Sequence, residues 1–199
     1  MQALIVVDVQ QDFMPGGNLA VEKGDEVIPI INKLLNKFDL VIFTKDWHPN
    51  DMEAFASTHL NKKPLDTYIN LNGDEDVLWP DHCIQDTPGA MLHQDIKFEN
   101  IKKDFYIIKK GLNKNYHPYS GFDTTELNDF LKSKDVDTVF ICGLATDYCC
   151  KTTALDGVKY GYNTYFIFDA TRGISNNLDK TKKELEENNV IIINSKDII

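Results

Sequence analysis

Short runs of apolar residues recur along the chain, with helical stripes between them. Ala3–Val7 is continuously apolar, as a strand buried on both faces would be. Val27, Ile30, Ile31, Leu34 and Leu35 then mark one face of an amphipathic helix. Leu40–Phe43 and Phe105–Ile108 are further strand-like runs. Asp123–Lys132 reads as a helix, with Asp123 as N-cap and Glu126 three residues later in a capping-box pattern. The remaining run is Val139–Cys142 as a strand, Thr146–Val158 as a helix, Tyr165–Phe168 as a strand, Leu178–Glu187 as a helix and Val190–Ile193 as a sixth strand. This alternation predicts an α/β fold built on a mostly parallel six-stranded sheet. No repeat or low-complexity linker divides the chain, so residues 1–199 are expected to form one domain.

One stretch breaks the rhythm. From Pro49 to Asn100 no clear strand stands out, and Pro, Gly, Asn and Asp punctuate the segment. Connections of this length in compact domains are usually functional or disordered. His59, Trp79, His82 and Cys83 lie within it, with Trp47 and His48 at its edge, and such residues favour function.

Composition narrows the classes. The 199 residues are 42% hydrophobic and 26% charged, an ordinary globular balance. With 21 Lys and Arg against 31 Asp and Glu, the formal net charge is −10, which argues against a nucleic-acid partner. No apolar run approaches the roughly 18 residues that span a bilayer, so no membrane partner is expected. The opening lacks a basic segment and is broken by Asp8, which suits a first strand better than a signal peptide. Cysteines at 83, 142, 149 and 150 form no CxxC pair, and reduced thiols in a cytoplasmic protein are expected.

In parallel sheets ligands bind beyond the carboxyl ends of the strands. The polar residues that end the runs here are Asp8, Asp46, Lys109 with Lys110, and Gly143 with the turn to Cys149. If the strands are parallel, these groups share one edge. Cys149 follows a strand-to-helix turn in which Thr146 is the expected N-cap, so a helix dipole and free amides would favour a thiolate and an oxyanion. A lone cysteine is more often a small buried hydrophobe, and Cys83, Cys142 and Cys150 are read that way. Asp8 is a candidate general base, against the alternative of a loop cap. Lys110 is by default a surface lysine; beside Asp8 and Cys149 it would favour the thiolate. Asp46 and His48, two apart, point the same way in extended chain, and His82 offers a third donor. Nitrogen and oxygen donors suit zinc, iron or manganese. His59, His93 and His117 have no such company and are read as surface or hydrogen-bonding residues.

Val6-Val7-Asp8-Val9-Gln10-Gln11-Asp12-Phe13 with Pro15-Gly16-Gly17, then Thr44-Lys45-Asp46-Trp47-His48-Pro49, resembles the nicotinamidases of the isochorismatase-like cysteine hydrolases. The resemblance continues through Phe55-Ala56-Ser57-Thr58-His59, Trp79-Pro80-Asp81-His82-Cys83, Thr87-Pro88-Gly89-Ala90, Lys110-Gly111, Tyr119-Ser120-Gly121-Phe122 and Gly143-Leu144-Ala145-Thr146-Asp147-Tyr148-Cys149. It covers residues 4 to about 173 in family order. It implies a three-layer α/β/α hydrolase fold and a triad of Asp8, Lys110 and Cys149. It implies an oxyanion hole from the amides of Ala145 and Cys149 after a cis Leu144–Ala145 bond. It also implies one divalent metal ion, zinc before iron(II) or manganese(II), on Asp46, His48 and His82, and a pocket wall of Phe13, Trp79 and Tyr119. Many relatives carry a further histidine where this chain has Met52, which makes Glu53 or Asp51 the nearest substitute ligand. The implied activity is hydrolysis of nicotinamide, and of pyrazinamide, to the acid and ammonia within NAD salvage. The nearest alternative is an amidase for carbamoyl or ureido substrates; a non-catalytic metal-binding module is the other. Isochorismatases lack the cysteine, so Cys149 speaks against that activity. A homo-oligomer is compatible with all of this.

Overall fold

A computed structural model of the chain describes residues 1–71 and 73–198. Its strands are β1 (Gln2–Val7), β2 (Leu40–Asp46), β3 (Thr67–Ile69), β4 (Glu75–Val77), β5 (Asp104–Lys110), β6 (Thr138–Leu144), β7 (Asn163–Arg172) and β8 (Ile191–Ile193). Its helices are α1 (Val27–Leu34), α2 (Leu127–Ser133), α3 (Lys151–Lys159) and α4 (Asp179–Glu187). Six strands form one sheet in the order β5-β2-β1-β6-β7-β8, and every pairing in it is parallel.

Alternation along β1 explains the layers. Leu4 and Val6 pack with Val27, Ile31 and Leu34 of α1 on one face of the sheet. Ala3, Ile5 and Val7 pack on the other face with Leu127 and Leu131 of α2, Ala154 of α3 and Leu185 of α4. A strand covered on both sides must be apolar at every position, hence the unbroken run from residue 3. The strand order reverses between β1 and β6. This is the switch point at which a crevice opens beyond the strand ends in doubly wound sheets. Gly143 belongs there, with φ of +115°, and a Cβ on it would lie 2.1 Å from the Val7 carbonyl oxygen.

Two helix starts differ from the expected ones. The second helix begins at Leu127, not Asp123, and no side chain caps it at Glu126. The Asp123 carboxylate instead accepts the Tyr116 hydroxyl, and Thr125 Oγ1 accepts the Leu127 N–H at 3.2 Å. Thr146 does not cap the third helix. Its hydroxyl donates to Thr171 Oγ1 at 2.8 Å, and residues 146–150 form a single π-helical turn ahead of α3. The long segment after Pro49 contains one small antiparallel hairpin, β3 with β4, and otherwise short 3₁₀ turns. Backbone bonds tie it down: Ala56 N–H to Trp79 O at 2.8 Å, Trp79 N–H to Ala54 O at 2.8 Å, and His48 N–H to Cys83 O at 3.0 Å. Among the described residues no helix is long and apolar enough to cross a membrane, and all four cysteines are buried and free.

Candidate active site

Strand geometry alone delivers four groups to the carboxyl edge. Asp8 follows β1, Asp46 ends β2, Lys110 ends β5 and Cys149 follows β6. Asp46 and Lys110 are register partners across β2 and β5. The alternation expected around Asp46 holds: Asp46 and His48 turn toward the site, while Lys109 and Lys45 place their ammonium groups over the Trp47 ring on the other side. Gln10 fixes the end of β2. Its amide oxygen accepts the Asp46 N–H at 2.7 Å and its amide nitrogen donates to the Asp46 carbonyl at 2.8 Å.

Lys110 is the hub. It is fully buried, and its Nζ lies 2.5 Å from Asp46 Oδ1, 3.0 Å from Asp8 Oδ2 and 3.5 Å from Cys149 Sγ. Burial opposes its charge, but Asp46, Asp8 and Cys149 together outweigh burial and hold the ammonium charged well above the usual range. Burial likewise works against the Asp46 carboxylate, and the ammonium of Lys110 with the imidazole of His48 offsets this and keeps it ionised. Asp8 moves the other way: burial raises it, Lys110 only partly restrains that, and Asp46 adds repulsion. Its Oδ1 accepts the Thr44 hydroxyl at 2.6 Å, and its buried Oδ2 faces the Lys110 ammonium at 3.0 Å. The Cys149 thiol is pushed well above its ordinary value by burial, against the pull of Lys110. Burial thus favours the thiol form of Cys149, against the thiolate expected of a capped helix start.

A second cluster adjoins the first. His48 Nδ1 donates to the Gly111 carbonyl at 3.2 Å and His82 Nδ1 donates to the Pro80 carbonyl at 2.7 Å. A carbonyl only accepts, so both rings carry their proton on Nδ1 and present Nε2 as a lone pair. These two Nε2 atoms lie 3.5 and 3.9 Å from the Asp46 carboxylate. Gly111 makes room for His48: a Cβ there would lie 2.3 Å from the ring. His48 Nε2 and both ring nitrogens of His117 are buried without a hydrogen-bond partner. Buried, unpaired lone pairs facing a carboxylate fit a divalent cation with nitrogen and oxygen ligands. Asp8, Asp46 and Cys149 also converge within 4.8 Å, but the ammonium of Lys110 already sits among them. The histidine side of Asp46 is thus the side whose donors could hold a metal ion.

The sequence missed His117. Its donor atom lies within 4.8 Å of those of His48 and His82, and its ring stacks on His48 at 4.9 Å. Only its nearness to Lys110 could have pointed to it. Glu53 is not in that group. Its backbone N–H donates to Lys114 O, its carbonyl accepts His59 Nε2 at 2.7 Å, and its charge acts on Tyr68. Asp51 is exposed and paired with Lys114 at 2.8 Å, and Met52 is buried against Ala54, Phe55 and Trp79.

Cys149 of the first cluster and Asp46, His82 and His117 of the second line one narrow cavity, together with Phe13, Trp79, Tyr119 and Ala145. Trp79 Nε1 donates to the Tyr119 hydroxyl at 2.9 Å, which in turn donates to Asp76 at 3.2 Å, so the aromatic wall is pinned. Leu19, Tyr148 and Ile174 also line the cavity, and sequence reasoning missed all three. The Leu144–Ala145 peptide is cis, as the resemblance implied. A larger groove beside Pro29, Lys33 and Asp95 gathers no comparable set of reactive groups.

The chain is similar over nearly its whole length to several known proteins. A nicotinamidase from Acinetobacter baylyi is 44% identical, covering 99% of this chain and 94% of that protein. The yeast nicotinamidase bound to the inhibitor nicotinaldehyde superposes with a TM-score of 0.91 at 35% identity, covering 98% of this chain and all of the other. The pyrazinamidase of Pyrococcus horikoshii in complex with zinc gives a TM-score of 0.81 at 37% identity, covering 97% and 98%. The isochorismatase domain matches residues 2–196, from the first strand to the turn after the last, and this protein belongs to that family.

Proposed function

We propose that this protein is a cysteine amidohydrolase that converts nicotinamide and water to nicotinate and ammonia, and that pyrazinamide is a second substrate. One observation carries the reading: Cys149, which lies 3.5 Å from a Lys110 ammonium that also pairs with Asp8, lines the same aromatic-walled cavity as Asp46 and His82, beside which stands His48. An amide hydrolase needs the first set, and a pyridine ring gives the second set a purpose. The relatives named nicotinamidase and pyrazinamidase support it.

Asp46, His48 and His82 would hold one divalent ion, zinc by analogy with the Pyrococcus enzyme. When bound it supplies a Lewis-acid partner for the ring nitrogen. Phe13, Trp79 and Tyr119 pack the ring and exclude water. Asp8 Oδ2 takes the proton from Cys149 Sγ, and the thiolate adds to the amide carbon. The N–H groups of Ala145 and Cys149 receive the oxyanion, each such donor contributing about 3–4 kcal/mol. Asp8 returns its proton to the departing ammonia as the C–N bond breaks. It then takes a proton from water, hydroxide adds to the thioester, and nicotinate leaves as the thiol is restored. Lys110 stays charged throughout and stabilises whichever of Asp8 and Cys149 is anionic. The product is an acid that NAD salvage consumes. Four free thiols suit the reducing cytoplasm.

The test is ammonia release from nicotinamide and from benzamide, which lacks the ring nitrogen. Rapid release from nicotinamide and little from benzamide is expected. No release from nicotinamide by the metal-loaded protein would overturn the assignment, and equal rates would remove the role of the ring nitrogen.

A further inference from the structure

The donors on the 46–53 segment number two, Asp46 and His48, because Met52 is buried among apolar neighbours and Asp51 is turned outward to Lys114. His82 adds a third from the next loop. His117 lies in the loop between Gly111, whose carbonyl orients His48, and Tyr119, and its ring is 4.9 Å from those of His48 and Tyr119 and 5.9 Å from that of His82. Its neighbour Pro118 accepts a hydrogen bond from Lys110 Nζ at 3.4 Å, so the loop is held on both sides of the ring. Both nitrogens of His117 are sealed from solvent and bonded to nothing among the described residues. Its donor atom converges with those of His48 and His82 within 4.8 Å, and its ring lines the same cavity as Asp46 and Cys149. A buried imidazole is rarely left with no partner for either nitrogen. Packing against His48 and Tyr119 would be served equally by phenylalanine, which has no such need.

We propose that His117 is a protein ligand of the divalent ion, completing with Asp46, His48 and His82 a set of three imidazoles and one carboxylate in place of a donor at position 52. The inference rests on the assignment of those three residues to a metal site. Its chemical consequence is a site with four protein donors. The ring nitrogen of a substrate would then be an additional donor to an ion already held by four side chains. The same loop carries Lys110 at its start, so one connection serves both the metal and the triad.

The experiment is zinc competition against a chromophoric chelator, paired with the visible absorption of the cobalt(II)-loaded protein. His117→Phe keeps the ring and removes the donor; His117→Asp keeps a donor and removes the ring. Zinc affinity in His117→Phe is expected to fall by roughly tenfold to a hundredfold or more, as loss of partners in a metal site does, with a changed cobalt spectrum. His117→Asp should restore most of the affinity. Wild-type affinity and spectrum in His117→Phe would overturn the proposal and leave His117 a packing residue. If His117→Phe does not fold, His117→Asn is judged by the same two readouts. Asp46→Ala separates the two levels: metal retained there refutes the site itself, whereas metal lost there and kept in His117→Phe refutes only the role of His117.

Discussion

Lys110 touches two carboxylates and a thiol from full burial, so its charge is the pivot of the triad. Removing it leaves Asp8, Asp46 and a nascent thiolate as like charges in a dry site, which disfavours ionisation of the thiol. In Lys110→Met the apparent pKa for alkylation of Cys149 should therefore rise above that of the wild type. The value belongs to the coupled site and not to one residue. Lys110→Arg should behave much the same, because the planar guanidinium does not fit where a compact ammonium sits between two carboxylates. An unchanged alkylation profile in Lys110→Met would break the triad. Cys149→Ala should abolish both labelling and ammonia release. Cys150→Ala, which alters a thiol buried away from the cavity, should cost about 1 kcal/mol of stability and leave the rate intact.

At the scale of elements, Gln10 joins the turn after β1 to the end of β2 by holding both backbone groups of Asp46. Gln10→Leu would strand the buried Asp46 N–H. Loss of about 1–3 kcal/mol is expected, read as a lower denaturant midpoint, together with weaker metal binding as Asp46 loses its anchor. A midpoint equal to wild type would show that Gln10 is dispensable. The elements themselves were legible wherever apolar runs end in charge. Asp8, Asp46 and Lys110 close β1, β2 and β5, and parallel pairing does the rest. What was illegible depends on contacts between distant loops. Asp123 looked like a cap but is drawn to Tyr116, and Thr146 is drawn to Thr171. Glu53 sat at a plausible spacing, yet it is not among the converging donors and its carbonyl is bonded to His59, and His117 joins the cluster with no spacing signature.

For the molecule as a whole, the buried histidines set an acid limit. Burial, with repulsion from His48, lowers His82 from 6.5 to about 4, and burial holds His117 well below its ordinary value. Both rings are neutral in the folded chain and protonate near 6.5 once it unfolds, so the unfolded state binds more protons below that pH. Stability of the metal-free protein should thus be flat above about pH 6.5 and fall as pH drops toward 4. His82 alone accounts for about 3 kcal/mol by the lower end. Asp46 adds to the loss at still lower pH, and Asp8, shifted upward, opposes it. Urea midpoints at pH 7 and pH 5 check this, and equal midpoints would mean that the rings are not buried neutral. Zinc should lift both midpoints, because it binds only the folded arrangement. The strand order has a consequence in time as well as in space. β1 lies at the centre of the sheet, yet one of its two neighbours is β6, whose Cys142 is the register partner of Val6. During synthesis the innermost strand emerges first and waits, apolar on both faces, until most of the polypeptide has followed it. Asp8 acquires its thiol neighbour only when that late strand docks, so no nascent fragment short of β6 can hold even a rudimentary catalyst. Such fragments leave one edge of β1 unpaired, an apolar strand edge of the kind on which aggregation starts.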